Sequence, residues 1–285
     1  MLFDEKIRYS RNILLPQIGK GGQEKLSEAK FLVIGAGGLG SPLLLYLAAT
    51  GIGTIGIIDD DKIELSNLQR QIIHTEYDIG NDKVNSAMEK LQDLNSNIKL
   101  ITYKTKLHRG NIAKIIADYH IILDGTDNFE TRFLVNEYCH KMGKILISGA
   151  VQGFSAIISC FKNTNQINQP SSCDSSLTDG NKGANEATNM GENMGQPCYE
   201  CFMPSENKDA NRLACNETGV LPSICGIAGS IMASEAVKEH LQIGQSLAGN
   251  ILHIDMLRNN YKKIALKKRP NCKICSSPSP YPGTE

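Results

Sequence analysis

Lys30-Phe31-Leu32-Val33-Ile34 runs directly into Gly35-Ala36-Gly37-Gly38-Leu39-Gly40, and Asp59, nineteen residues past Gly40, closes a second apolar run, Thr54-Ile55-Gly56-Ile57-Ile58. Short apolar runs that end in glycine or an acid read as buried parallel strands. The pattern from Leu39 to Thr50 between them is helical. The glycines let backbone amides approach a phosphate, the helix N-terminus attracts anions, and an acid at the end of the next strand suits ribose hydroxyls. A glycine loop alone is a weak signal, because any tight turn can carry it. With strand, helix and Asp59 in place the spacing predicts a nucleotide site, but does not separate ATP from NAD.

The alternation continues outward. Asp82–Asn95 is predicted helical, with Val84, Met88, Leu91 and Leu94 on one face, and Ile98–Tyr103 alternates like a strand. Asn111–Asp118 reads as a short helix, His120–Leu123 as a buried strand, Phe129–Met142 as a helix and Lys144–Ser148 as a strand. Gly153–Phe161 can add another strand. This regularity predicts an α/β fold, a doubly wound mixed sheet. Residues 163–197 hold seven Asn, four acids, one Lys and no aromatic residue, so this stretch is expected to be a disordered polar insertion. Val220–His240 is a small-residue-rich helix, Ile251–Asp255 and Tyr261–Leu266 look like paired strands, and the three prolines within 276–285 predict a frayed tail.

Composition excludes some classes. The 285 residues are 41% hydrophobic and 21% charged, with 30 basic against 30 acidic side chains. A nucleic-acid-gripping protein is usually more basic, so no nucleic-acid partner is expected. No run approaches the roughly 20 apolar residues of a membrane span, and the charged first 30 residues do not suit a signal peptide. The cytoplasm is the default compartment. In a reducing compartment the pairs Cys198/Cys201 and Cys272/Cys275 read as metal ligands, a closed tetrahedral four-cysteine site that suits structural zinc. That metal would staple the C-terminal strands to the segment after the insertion. Cys225, inside an apolar helix, reads as packing, and Cys173 as incidental.

Beyond the second strand, Asn67 and Arg70 stand just past the ribose position, and Lys83 follows on the next helix. A triphosphate wants such cations, which neutralise charge and align the reacting phosphorus; a dinucleotide rarely does. Asp124-Gly125-Thr126-Asp127-Asn128 ends a strand at the carboxyl edge of the sheet, where Asp127 is placed to hold magnesium. His74 could face the nucleotide, although a capping or surface role suits it better.

Arg8-Tyr9-Ser10-Arg11, Leu15-Pro16-Gln17-Ile18-Gly19, the Gly35–Gly40 loop with Ser41-Pro42, Ser66–Gln71, Thr126-Asp127-Asn128, Cys198-Tyr199-Glu200-Cys201 and Cys272-Lys273-Ile274-Cys275 come in the order found in the MoeB/ThiF family, which this chain resembles from about residue 5 to 275. The resemblance implies one adenylation domain of Rossmann type over residues 1–275, interrupted by the insertion. It implies an adenylyltransferase in which ATP activates the Gly-Gly terminus of a small ubiquitin-like sulfur-carrier protein and pyrophosphate leaves. Asp59 would bind the ribose, and Asn67, Arg70 and Lys83 the phosphates. Asp127 would hold Mg2+, and Arg11 would enter from the second subunit of a homodimer. Cys215, in Asn211-Arg212-Leu213-Ala214-Cys215, resembles the cysteine that ThiF-type members join to the carrier. A separate sulfur donor protein is expected. Two departures stand out. Gly153-Phe154-Ser155-Ala156-Ile157 replaces a usual Glu-Gly-Gln stretch, and the insertion occupies the place of a short hairpin turn. The carrier's pathway (thiamine, molybdopterin or another thio-cofactor) stays open.

Competing readings make different demands. An NAD-dependent oxidoreductase requires a second catalytic domain with a His or Lys acid, which residues 150–285 do not convincingly supply. A catalytically dead binding module is opposed by the set Arg11, Asn67, Arg70, Lys83 and Asp127. A tRNA-modifying dehydratase branch of the same family is opposed by the two cysteine pairs and the lack of a basic tail.

Overall fold

The computed structural model describes residues 3–163, 196–206 and 219–276. Cys173, Cys215 and most of the expected insertion and tail lie outside the described residues. The framework is an α/β fold on one eight-stranded mixed sheet. Its parallel half is β1 (Lys30–Ile34), β2 (Thr54–Ile58), β3 (Lys99–Tyr103), β4 (Ile121–Asp124) and β5 (Ile145–Gln152). Antiparallel β6 (Ser155–Phe161), β7 (Asn250–Asp255) and β8 (Asn260–Ala265) extend it, giving the order β3-β2-β1-β4-β5-β6-β7-β8.

Strand residues alternate between two apolar layers, as the period-two geometry of a strand requires. Phe31 and Val33 of β1 face one side, with Leu43, Leu44 and Leu47 of α4 (Gly40–Thr50), Val84, Ala87 and Leu91 of α5 (Lys83–Leu94), and Ala228 and Met232 of α9 (Pro222–Leu241). Leu32 and Ile34 face the other, with α6 (Ile112–Ile116), Val135 and Cys139 of α7 (Phe129–Lys141), and Tyr199 of α8 (Tyr199–Phe202). Helices therefore cover both faces.

Three helices precede β1: α1 (Phe3–Arg8), α2 (Ser10–Ile13) and α3 (Gly19–Glu28). Tyr9 anchors this segment. It is buried, its ring packs on Gly51, and its hydroxyl accepts a 2.8 Å hydrogen bond from Asn95 Nδ2. The chain is described past β6 as far as Asn163 and again from Gln196, two residues before Cys198 and α8; whether the expected insertion stands in place of a hairpin turn lies outside the described residues.

Candidate active site

The carboxyl ends of β1, β2 and β4 open into one cleft of about 590 Å³, within the usual range for small-molecule sites. Gly35 turns the chain out of β1 at φ +92°, a conformation side-chain-bearing residues rarely adopt. A Cβ on Gly40 would lie 1.9 Å from the Gly35 carbonyl oxygen, so only glycine lets α4 start this close to the loop. No side chain caps the N-terminus of α4, which leaves its dipole open toward the cleft.

Asp59, at the end of β2, holds this loop. Its Oδ2 accepts from the Ala36 amide at 2.8 Å and its Oδ1 from the Asp61 amide at 2.9 Å. Burial pushes its carboxyl above the ordinary range, with Lys83 and the two amides pulling the other way. Lys83, the first residue of α5, is buried to 7% side-chain exposure, and its ammonium donates 2.7 Å to Asp61, which is 66% exposed. Asn67 and Arg70 sit on the turn after β2. Asn67 Oδ1 accepts from the Glu64 amide, and Arg70 donates to the Ser66 carbonyl at 3.3 Å. Asp127 is exposed on the far wall, and its carboxylate has no hydrogen bond or ion pair to the described residues.

Gly35, Gly37, Gly38, Asp59, Asn67, Arg70, Lys83 and Asp127 all line this cleft; Gly40 stands behind it as a packing residue. Arg11 is exposed on α2 and does not line the cleft of its own chain. His74 is neither a cap nor a surface residue. It is buried, with Nε2 donating to the Ala36 carbonyl at 3.1 Å and Nδ1 accepting from Ser86 Oγ at 2.9 Å. A carbonyl only accepts, which sets that tautomer. Burial pushes the His74 imidazole below its ordinary value. Cys225 is buried as expected, yet it also lines the cleft against Gly38. Gln71 and Arg132 line the cleft too. An Arg one turn into the helix after Asp127-Asn128 was the available signal for the second.

The four paired cysteines converge. Their sulfurs lie within 4.8 Å of one another, with Cys198–Cys272 at 3.6 Å and Cys201–Cys275 at 3.4 Å. Four thiolates at about 2.3 Å from a tetrahedral metal stand about 3.8 Å apart, so the donor set and spacing fit zinc. Hydrogen bonds from Cys198 and Cys275, and from the Arg269 amide at 3.3 Å, favour the thiolate at Cys201.

A mixed sheet with a glycine loop, several cations and three consecutive acids around one cleft, together with a four-cysteine cluster, defines a class of α/β proteins with a charged cleft at the carboxyl edge of the sheet. Within that class the chain belongs to the ThiF family, whose model matches residues 9–274. It is 36% identical over 272 residues to the sulfur carrier protein adenylyltransferase of Thermus thermophilus, across 95% of this chain and 91% of that protein. It is 38% identical over 268 residues to the probable adenylyltransferase/sulfurtransferase MoeZ of Mycobacterium tuberculosis, across 94% of this chain but 62% of that protein. The crystal structure of Escherichia coli MccB with ATP shares the fold at TM-score 0.73 and 23% identity, over 95% of this chain and 75% of that one.

Proposed function

We propose that this protein is an adenylyltransferase that uses ATP to adenylate the C-terminal Gly-Gly carboxylate of a small ubiquitin-like sulfur-carrier protein, releasing pyrophosphate. One observation carries the reading: Asp59, Asn67, Arg70, Lys83 and Asp127, scattered over four elements and turns, meet around one cleft. Full-length similarity to a sulfur carrier protein adenylyltransferase supports it. The oxidoreductase alternative rests on the glycine loop and Asp59 alone, and the family match goes against it.

The parallel order β3-β2-β1-β4-β5 supports a Rossmann-type framework. The Gly35–Gly40 loop and the uncapped α4 terminus receive phosphate, and Asp59 receives the ribose. Arg70 and Lys83 neutralise the charge that develops as pyrophosphate leaves; Lys83 is held at the cleft by Asp61, a partner that phosphate oxygens can replace. A carboxylate is already a nucleophile, so the site needs alignment and charge neutralisation and no general base. Its oxygen attacks the α-phosphorus, the bond to the β-phosphate oxygen breaks, and a mixed anhydride forms. Asp127, an exposed carboxylate without a protein partner among the described residues, is the residue to hold Mg2+, which supplies further charge neutralisation when bound. The four-cysteine cluster holds a structural zinc. Arg11, remote from its own cleft, acts in the neighbouring site of a homodimer.

ATP–pyrophosphate exchange measured with purified small proteins ending in Gly-Gly tests the reading. Exchange dependent on one such carrier supports it, and no exchange with any carrier contradicts it.

A further inference from the structure

Gln71 lines the cleft with a side chain that the fold itself does not use. It closes the turn after β2, where its backbone amide donates 2.9 Å to the Asn67 carbonyl and its carbonyl accepts from the His74 amide at 3.1 Å. The backbone is therefore fixed on both sides. The residue is 4% exposed, yet its carboxamide makes no hydrogen bond to the described residues, and Oε1 is buried without a partner. A buried amide that serves only the fold is hydrogen-bonded within it, because leaving one unsatisfied costs stability.

Three consecutive residues of the glycine loop each meet a different side chain. The Ala36 amide donates to Asp59. A Cβ on Gly37 would meet Gln71 Nε2 at 3.6 Å and nothing else within 4 Å, and a Cβ on Gly38 would lie 3.3 Å from Arg70 Cγ. Gly37 is held from behind, its carbonyl accepting from the Ser41 amide at 2.9 Å and hydroxyl at 2.7 Å. With Asp59 taking the ribose and Arg70 the departing pyrophosphate, the amide between them stands level with the phosphate that joins the two. We propose that Gln71 is a further catalytic residue, whose Nε2 donates to an oxygen of the α-phosphate. The inference rests on the adenylation reading and deepens it. As the carboxylate oxygen bonds to the α-phosphorus and the bond to the β-phosphate oxygen breaks, negative charge rises on the non-bridging α-phosphate oxygens. A fixed N–H stabilises that charge, and no proton is transferred. A neutral donor suits the position, since a cation there would also hold the attacking carboxylate.

The test compares Gln71→Met and Gln71→Glu with wild type in the full chain. Methionine keeps the length and removes the unpartnered amide, so Tm should hold or rise. In the same variant, kcat for carrier-dependent ATP–pyrophosphate exchange should fall on the order of 100-fold, with KM for ATP within about threefold. Glutamate sets a carboxylate beside the phosphate. By calorimetry at about pH 8 it should weaken ATP and AMP alike by about 10-fold or more and leave adenosine within about twofold. Wild-type exchange in Gln71→Met overturns the proposal, and so does a Tm that falls together with activity, as a packing role predicts. In Gln71→Glu, unchanged ATP affinity, weakening of ATP but not AMP, or equal weakening of adenosine overturns it too. If the wild-type protein binds ATP but supports no exchange, the adenylation reading fails, and the three affinities decide the placement of Gln71 by themselves. Absence of ATP binding ends both. Should Gln71→Glu fail to fold, the split between Tm and kcat in Gln71→Met decides.

Discussion

Replacing Gly40 by alanine places a Cβ 1.9 Å from the Gly35 carbonyl oxygen and 2.9 Å from its carbon. Real Cβ atoms essentially never approach below 3.0 Å, so the loop and α4 must part by about 1.1 Å, the difference between 3.0 and 1.9. Backbone cannot rotate away as a flexible side chain can. Overpacking of this kind costs about 1–3 kcal/mol, which in a chain of this size lowers Tm by roughly 2–12 °C. Function should suffer more. A displacement of about 1 Å at a positioned reactant costs on the order of 100-fold in rate, and this loop also carries the Ala36 amide that Asp59 holds at 2.8 Å. The assay is carrier-dependent ATP–pyrophosphate exchange with thermal melting of the same samples. Gly21→Ala is the matched control: its Cβ meets nothing within 4 Å in α3, and loss of a helical glycine should stabilise by about 0.5–1 kcal/mol without touching exchange. A Gly40→Ala protein that melts and exchanges like wild type refutes the claim that this close approach builds the site.

Elemental analysis should find one zinc per chain, and Cys272→Ser should lower Tm sharply; a metal-free protein of unchanged stability and activity would speak against the structural site. Burial holds the imidazoles of His74, His140 and His240 below the ordinary value of 6.5. The unfolded chain then binds more protons below that pH, so stability should fall as pH drops from about 7.5 to 5.5. A flat or rising Tm over that window contradicts the burial. For the dimer, Arg11→Ala and Asp127→Ala proteins should each be inactive, and refolding equal amounts together should restore about a quarter of wild-type activity. Half the dimers are then hybrids, each with one intact site. No recovery despite proven subunit exchange refutes an Arg11 supplied by the partner.

The strands and the later helices were legible in the sequence because β1, β2 and β4 are continuous apolar runs ended by glycine or acid, and because α5 has a one-sided apolar face. The N-terminal helices were not, since Pro16, Gly19, Gly21 and Gly22 oppose helix locally, and tertiary anchoring through Tyr9 and Gln23 overrides that preference. The residues that line the cleft could be named from motif order, and the cysteine cluster from its spacing. Burial of His74 against Ala36 and Ser86 was invisible, because it depends on how α5 and the glycine loop pack across the sheet. The same holds for Arg132, whose burial and hydrogen bond to the Thr126 carbonyl depend on how α7 packs beside the loop after β4.

Adenylation of a carboxylate makes a demand on atoms that other ATP-dependent activations do not. The attacking carboxylate oxygen becomes bonded to the α-phosphorus, and when a nucleophile later opens the anhydride that oxygen departs with AMP. The central measurement is therefore mass spectrometry of the nucleotide products after turnover of a carrier whose terminal carboxylate carries heavy oxygen. The account predicts AMP with one heavy atom, together with unlabelled pyrophosphate. Label in inorganic phosphate, with ADP as the nucleotide product, or AMP without label, would contradict it.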